Sequence, residues 1–455
     1  LLLPSFDDTF STAPRSITPK KGVWEKTMSL LFNSPAQNER GRRSSMLGPA
    51  SQQDMDSRPG DAQARLPRLW STMGEKERAA SKGCKDVRKV TIIGIHGWFS
   101  QGPIRNLFGE PTGTSTKFAS MMTDAVRKHF AEAGYDLQDD QITVIALEAD
   151  GLVSDRVDKS FASLLSNPKW VKDLLDSDAI FVAAHSQGSV VATHLLARLV
   201  EQRHLNLRKS RISLLCMCGI HNGPFAHLRG SITSYYMNTF ETPAAKELFE
   251  FQNGHSAVSR LYAASLRIVL AAGIKLVYIA SLDDQVVPLY SALHTAASHP
   301  SILRGIFCDG AAFPRVDFLT NLLSFCVNVR NAGLGDHHLA TLLSSSVAGS
   351  LYGGLGHSLV YDEPQVYSLA ARYCLEVTSP AGIPPLDLDD EFTIARNQKW
   401  NSNPYALPWS LRGLFEDERV RHYFSPQIDK LVRDYLDWQP TTKTLKDVQF
   451  RLEPM

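Results

Sequence analysis

The sequence predicts an α/β fold in which helices flank a mostly parallel central sheet. Short apolar runs alternate with segments whose apolar residues recur at helical spacing, which is the pattern of successive βαβ units. The runs are apolar at nearly every position, as expected for strands buried on both faces of a parallel sheet. One of them passes straight into a helix through a small-residue turn at Ser186. The alternation extends over residues 88–379, which we predict to form one domain.

The individual elements follow in order from these two patterns. The first strand is predicted at Val90–Ile95, and a helix follows in which Phe118, Met122 and Phe130 recur at helical spacing. Further strands are predicted at Ile142–Leu147, Ala179–Ala183, Ile212–Cys218 and Lys275–Ala280, with a weaker one at Ile306–Phe307, and further helices near Trp170 and over Pro364–Tyr373.

The segments outside this alternation differ in composition. Residues 1–33 form an N-terminal arm with some apolar content, and residues 34–87 are rich in Ser, Arg, Gln, Asp, Gly and Pro, which predicts a flexible linker. Residues 380–455 are predicted to be a C-terminal extension packed on the core, with a helix at Ile428–Trp438. Within the domain, residues 224–273 form an aromatic-rich insertion. This insertion, or the loop after Trp98 with Phe99, Leu107 and Phe108, is either a lid over an apolar pocket or part of the core.

Composition restricts the classes of function. The formal net charge of +1 on 455 residues gives no general attraction to nucleic acid or to an anionic membrane. The six cysteines form no Cys-x-x-Cys pair and suggest no disulfide framework, which favours an intracellular, cytoplasmic location. The longest apolar stretch, Leu266–Ala280, is interrupted by charged residues and glycine, so no membrane helix is predicted. Because the chain starts without methionine, an upstream anchor or targeting signal is left open, as are membrane association and oligomeric state.

The turn at Ser186 carries the strongest chemical pattern. The sequence Ala184-His185-Ser186-Gln187-Gly188 follows an apolar strand and opens a helix. Small residues two before and two after the serine let a strained backbone present the hydroxyl above the sheet as a nucleophile. Alanine stands at the first small position, where glycine is usual. The alternative interpretation is a buried turn whose serine caps the helix.

In this combination of strand, elbow and helix, residues 88–378 resemble the α/β-hydrolase superfamily, and within it the lipase and serine-esterase branch. More narrowly, the motifs resemble those of an uncharacterised group of fungal hydrolase-like proteins. The resemblance implies the α/β-hydrolase fold and a catalytic triad in the chain order nucleophile, acid, histidine. It also implies a small-molecule or lipid ester as substrate and no metal or organic cofactor.

The resemblance places the acid and the base downstream of Ser186. Asp284 lies after the strand at Lys275–Ala280 and before a short turn of valines and proline, with Asp283 as the alternative. His357 follows a glycine-rich loop and precedes a helix, and it is the predicted base. His337 and His338, on an earlier loop, are left open as competitors.

The superfamily also implies two backbone amides that stabilise an oxyanion. One belongs to the residue after the nucleophile, Gln187. The other comes from the loop after the His96-Gly97 pair, which makes Trp98 the second predicted donor and His96 a structural residue. The alternative is that His96-Gly97 is an ordinary turn between strand and helix.

Other classes of function fit less well. In the segment 109–117, Lys117 does not directly follow Gly113, so the phosphate-binding loop pattern fails. No His-Glu-x-x-His or comparable metal-ligand set occurs. The remaining alternative is a catalytically silent binding or scaffold protein that has kept the fold.

Overall fold

The computed structural model describes residues 84–98, 114–230, 243–313, 315–349, 355–380, 382–389, 403 and 405–453. A six-stranded sheet forms its centre, in the order β2-β1-β3-β4-β5-β7, and all neighbouring strands in it are parallel. A separate two-residue antiparallel ladder joins β6 to β8. The strands are β1 (Val90–Ile95), β2 (Ile142–Leu147), β3 (Ala179–His185), β4 (Arg211–Met217), β5 (Lys275–Ser281), β6 (Ala297–Ser298), β7 (Ile302–Phe307) and β8 (Asp387–Leu388).

Helices cover both faces of this sheet. The described helices are α1 (Thr114–Glu132), α2 (Val153–Leu165), α3 (Pro168–Asp176), α4 (Gln187–Glu201), α5 (His227–Gly230), α6 (Pro243–Glu250), α7 (Ala257–Ala271), α8 (Leu289–Ala292), α9 (Phe318–Asn331), α10 (Leu339–Leu343), α11 (Gly356–Leu359), α12 (Pro364–Glu376), α13 (Ala406–Glu416), α14 (Glu418–Leu436) and α15 (Lys443–Leu452). One core cluster lies between the sheet and the side formed by α2, α4, α7 and α9, and the other lies between the sheet, α1 and α12. None of the described helices is both long and apolar enough to cross a membrane.

The predicted α/β architecture is confirmed, and most strand bounds agree within two residues. The exception is β7, which extends four residues further toward the N-terminus than the weak strand predicted at 306–307. Arg304 interrupts its apolar pattern, yet this side chain is buried. Its guanidinium donates hydrogen bonds to the carbonyls of Leu293 (2.8 Å) and His294 (3.1 Å), which satisfies the charge inside the fold.

Two helices differ from their predicted extent. The helix predicted at 428–438 begins at Glu418, because the side chain of Asp417 caps its first turn. Pro426 lies inside this helix, and the kink that it requires falls at Phe424 (φ −124°, ψ 18°). The helix α2 was not predicted, although Val153, Val157 and Phe161 recur every four residues along its buried face.

The C-terminal helices contact the core through aromatic side chains. Phe424 lies edge-on to Phe325 of α9, with ring centroids 5.7 Å apart, and Trp438 lies 5.2 Å from Phe318. The indole Nε1 of Trp438 also donates a 2.9 Å hydrogen bond to Asp317, the residue that caps α9. The extension therefore shares both apolar and polar contacts with the body of the domain.

The described parts of the insertion at 224–273 include residues of the core. Phe249, Phe251 and Tyr262 are all buried, and α7 packs along α4 beside the sheet. Residues 231–242, which include Tyr235, Tyr236, Met237 and Phe240, lie outside the described residues, as do residues 99–113 of the loop after Trp98. The prediction of a lid therefore rests on those segments.

The strand order defines a switch point at the carboxyl ends of the neighbouring strands β1 and β3. The chain leaves β1 toward β2 on one side, and returns to β3 on the other side. Such a switch point opens a crevice at the carboxyl ends of the two strands, where ligands bind in open α/β sheets. His96 and Gly97 follow β1 at this point, and Ser186 follows β3.

Candidate active site

Ser186 occupies a strained turn between β3 and α4. Its backbone has φ 55° and ψ −127°, a combination that costs a residue with a side chain about 1–3 kcal/mol. The amide of Ser186 donates a 2.9 Å hydrogen bond to the carbonyl of Met217 at the end of β4, which helps to hold the turn. These are the backbone features expected of a nucleophile elbow.

Two glycines allow the backbone of the elbow to approach the end of β1. A Cβ atom on Gly188 would lie 2.2 Å from the carbonyl oxygen of His96, and one on Gly97 would lie 3.0 Å from Cβ of Ser186. Neither position has room for a side chain. By contrast, Ala184, which departs from the usual glycine, is buried without such a conflict and pairs with Ile95 of β1.

Asp284 and His357 form a buried acid–base pair. Nδ1 of His357 and Oδ2 of Asp284 are 2.8 Å apart, and both side chains are 2% exposed, so water does not compete for this contact. The other carboxylate oxygen, Oδ1, accepts hydrogen bonds from the amides of Val286 (2.7 Å) and Val287 (2.8 Å). With both oxygens occupied, the carboxylate has a single orientation, and it faces Nδ1 of the imidazole.

His357, the predicted base, is attached through its backbone to His185 at the turn. Nε2 of His185 lies 2.8 Å from the backbone carbonyl oxygen of His357, and the centroids of the two rings are 4.5 Å apart. Burial and the neighbouring His357 hold the pKa of His185 well below its usual value, so its imidazole is neutral and donates from Nε2. Since His185 directly precedes Ser186, this contact ties the backbone of His357 to the end of the strand that leads into the turn.

The alternatives for acid and base lie elsewhere. The carboxylate of Asp283 lies 3.2 Å from Oγ of Ser281, and the pair with His357 is made by Asp284. His337 lies 3.7 Å from Asp417 of the C-terminal extension, and Nδ1 of His337 lies against Gly413. His338 begins α10 in a left-handed conformation. These positions favour Asp284 and His357 for the roles predicted from the sequence.

The two predicted oxyanion donors belong to segments that touch. Gln187 is the first residue of α4 and is fully buried, and Trp98 follows Gly97, whose backbone lies against Ser186. His96 is engaged on both ring nitrogens: Nε2 accepts from the amide of Ala149 (3.2 Å), and Nδ1 lies 2.6 Å from the carbonyl oxygen of Gly97. Burial and the nearby Arg156 lower the pKa of His96 to about 4. This histidine therefore has the contacts of a structural residue.

Arg156 is a site residue that the sequence did not reveal. It comes from α2 and is 2% exposed, and its guanidinium donates to the carbonyls of His96 (2.6 Å) and Gly97 (3.2 Å) and to Oε1 of Gln187 (2.6 Å). Burial lowers its pKa to about 10, which leaves it charged at neutral pH. In a sequence, an arginine between Asp155 and Val157 on an amphipathic helix is typical of a solvent-facing position, so no pattern marks it.

One group of side chains at the site has the residue types of a metal site. Donor atoms of His185, Cys218 and His357 lie within 4.8 Å of one another. However, His357 is bound to Asp284 through Nδ1, and His185 to the carbonyl of His357 through Nε2. Burial and the adjacent Asp284 also raise the pKa of the Cys218 thiol well above its usual value, whereas a metal ligand must be a thiolate. The contacts of these residues therefore fit the acid–base pair of Asp284 and His357 better than they fit a metal site.

The parallel sheet, its switch point and the strained elbow are those of the α/β-hydrolase class of proteins. The chain belongs to the family of the YMC0/YMC35 alpha/beta hydrolase domain, whose family model matches residues 61–418. The match begins within the predicted linker and ends in the C-terminal extension. No curated protein sequence matches the chain significantly.

Several solved structures are similar to parts of this chain. Phospholipase PlaB from Legionella pneumophila is 14% identical over 43% of this chain and 39% of its own, with a TM-score of 0.28. The product of the gene lin2722 from Listeria innocua is 12% identical over 50% of this chain and 87% of its own (TM-score 0.30). The esterase PF2001 from Pyrococcus furiosus is 17% identical over 49% of this chain and 73% of its own (TM-score 0.27). This chain thus spans about two fifths of the length of the Legionella phospholipase, and identities this low say nothing about activity.

Proposed function

We propose that this protein is a serine hydrolase that cleaves a carboxylic ester through Ser186, Asp284 and His357. The observation that carries the proposal is the buried hydrogen bond between Asp284 and His357, whose backbone is bound by His185, the residue before a serine in a strained strand-to-helix turn. A buried turn with a capping serine would need neither the acid–base pair nor the strain. Membership of a hydrolase family agrees with the proposal.

The contacts of His357 assign the protons in this mechanism. Because Nδ1 of His357 donates to Asp284, the lone pair of the imidazole is on Nε2, which is the nitrogen that takes the Ser186 proton. Ser186 Oγ then attacks the ester carbonyl, and the amides of Gln187 and Trp98 stabilise the negative oxygen. His357 returns the proton to the leaving alcohol, and water releases the acid from the acyl-enzyme by the same steps.

We infer that the acyl group of the substrate is apolar. Leu355, two residues before the base, is 49% exposed, and Trp98 is a half-buried apolar residue beside the predicted oxyanion hole. Two apolar side chains this close in sequence to the predicted base and oxyanion hole favour a hydrocarbon chain over a charged group. Hydrolysis of p-nitrophenyl esters of graded chain length tests this part: a rate that falls steadily with chain length would contradict it.

A fluorophosphonate probe tests the catalytic assignment directly, because it labels only an activated serine. We expect the wild-type chain to be labelled and the S186A and H357A variants to lose labelling. Ser189, three residues further along α4, and His337 supply matched controls, so S189A and H337A retain it. Folding of each variant is checked by its thermal unfolding.

The pattern of labelling separates the competing interpretations. Labelling that survives in S186A would overturn the assignment of the nucleophile, and loss in H337A with retention in H357A would move the base. No labelling in any folded form, with detergent present to open a covering segment, would leave the fold as a catalytically silent binding module.

A further inference from the structure

The buried guanidinium of Arg156 touches both sides of the predicted oxyanion hole. Its hydrogen bonds reach the backbone before Trp98 and the side chain of Gln187, the two residues whose amides we propose as donors. Burial of a cation is costly unless its partners are well placed. All three partners of this cation are neutral oxygens at the site, so its contacts there need a physical explanation.

The geometry of the peptide group between Gly97 and Trp98 supplies this explanation. In a trans peptide the C=O and the N–H lie in one plane and point in opposite directions, so the carbonyl of Gly97 and the amide of Trp98 face opposite sides of the C–N bond. The carbonyl side is held by Arg156 and by His96, whose Nδ1 carries the proton because Nε2 accepts from Ala149. Two donors on the carbonyl thereby fix the direction in which the Trp98 N–H points.

The residue that contributes this carbonyl lies beside the proposed nucleophile. Gly97 lies so close to Ser186 that an added Cβ would be 3.0 Å from the Cβ of the serine. Arg156 also fixes the residue that carries the second donor. Its guanidinium donates a 2.6 Å hydrogen bond to Oε1 of Gln187, the first residue of α4. One side chain therefore bridges the two segments that carry the predicted donors.

We propose that Arg156 is a positioning residue of the oxyanion hole, which aims the Trp98 amide at the oxyanion and strengthens it as a donor. The inference rests on the proposed function. A hydrogen bond from a charged group to a carbonyl is stronger than a neutral one, and it polarises the peptide so that the N–H becomes more positive. The effect is felt where negative charge develops, in the transition state, and hardly at all in the bound ester.

The test compares R156M, which removes the charge at similar length, with R156K, which keeps it. With p-nitrophenyl butyrate, we expect R156M to lower kcat about 10- to 100-fold while KM changes by less than about threefold. R156K falls between R156M and the wild type. The inhibition constant of an alkyl boronic acid, which mimics the tetrahedral intermediate, rises in R156M by the same factor as kcat falls.

Arg304 provides the matched control for removal of a buried arginine. It is as buried as Arg156 and also donates to backbone carbonyls, but its partners lie in the segment 293–297. We expect R304M to lower the melting temperature and to leave kcat per titrated active site within about twofold of the wild type.

The outcomes distinguish this inference from the proposed function. An active wild type with an unchanged kcat in folded R156M would overturn the inference alone. An equal loss of kcat in R156M and R304M, or a rise in KM without a fall in kcat, would show a structural role only. An inactive and unlabelled wild type would overturn the proposed function, and the positioning role with it.

Discussion

At the scale of single residues, Asp284 is set apart from Asp283 by its hydrogen bonds. Asp284 accepts two backbone amides on one oxygen and the imidazole on the other, whereas Asp283 is half-buried beside Ser281. The backbone of Asp283 is itself confined, because a Cβ atom on Gly349 or Gly356 would collide with its carbonyl. The two neighbours therefore face different surroundings in spite of their identical chemistry.

This difference predicts unequal effects of the same substitution. In D284N an amide replaces the acceptor of His357 Nδ1, which disfavours the tautomer that has its lone pair on Nε2, so we expect kcat to fall about 10³- to 10⁴-fold. In D283N we expect kcat to change by less than about threefold. Ester hydrolysis by the two purified variants, at matched active-site concentration, checks both values, and a larger loss in D283N would transfer the role of the acid.

At the scale of elements, the end of β1 is confined by helices on both faces. On one face Gly94 meets the first turn of α1, where an added Cβ would lie 1.9 Å from the carbonyl oxygen of Ser115. On the other face Gly188 of α4 approaches the carbonyls of Ile95 and His96. Both helices can lie this close only because these positions lack side chains.

We therefore expect G94A to destabilise the protein by about 3 kcal/mol or more, because the added methyl group must displace the backbone of α1. Gly310 is the matched control, since a Cβ there meets nothing within 4 Å and its φ is not positive. G310A should change the free energy of unfolding by less than about 0.5 kcal/mol. Urea unfolding of both variants measures this, and equal stabilities would contradict the packing argument.

The sequence was sufficient for the elements with uniform patterns. The strands β1 to β5 could be predicted because their apolar runs are short and bounded, and the elbow because a small-residue turn joined a strand to a helix. The full length of β7 could not be predicted, because Arg304 interrupts the run and only the fold supplies the carbonyls that satisfy it. The apolar spacing of α2 was present in the sequence and could have been used.

Contacts between distant segments could not be predicted from the sequence for a different reason. Arg156 interacts with residues 31 and about 60 positions away in the chain, and its inward direction is set by where α2 packs. The pairing of acid and base was expected only through the family order of nucleophile, acid and histidine. The bond from His185 to the backbone of His357, across 172 positions, had no counterpart in any local pattern.

At the scale of the whole molecule, histidines are buried at many places in the fold. Desolvation is the main cause that lowers the pKa of each of them, to about 4 for His96, His194 and His299 and to about 3 for His221. The pKa values of His185 and His294 also lie well below the ordinary 6.5. The folded protein therefore keeps these six imidazoles neutral under conditions in which an unfolded chain would protonate them.

The low pKa values of these six histidines predict that the protein loses stability in mild acid. The stabilisation is fully present above about pH 6.5, and it is lost as the pH falls toward the folded-state pKa values, because only the unfolded chain then binds protons. Each histidine contributes at most about 1.4 kcal/mol per pH unit to the slope. Chemical unfolding at a series of pH values measures that slope.

Single substitutions test whether the buried histidines cause the dependence of stability on pH. His194 lies 2.8 Å from Oγ of Ser265, and H194Q keeps a polar partner for this hydroxyl while it removes the titrating group. We expect H194Q to reduce the number of protons taken up on unfolding in mild acid by about one, which flattens the slope of the unfolding free energy against pH. His255 is exposed, so H255Q is the matched control and should leave this slope unchanged. A stability that is constant between about pH 7 and about pH 5 would contradict the explanation.

The bond between His185 and His357 has a mechanical consequence for the entire molecule. Ser186 and His357, the proposed nucleophile and base, are 171 residues apart in the chain, yet the backbone carbonyl of His357 is bound by the side chain of the residue before Ser186. A displacement of the segments that lead into α11 must either carry the end of β3 along or break this bond. Changes in the chain between β7 and α11 are therefore compatible with the alignment of serine and imidazole only where they leave the bond between His185 and His357 intact.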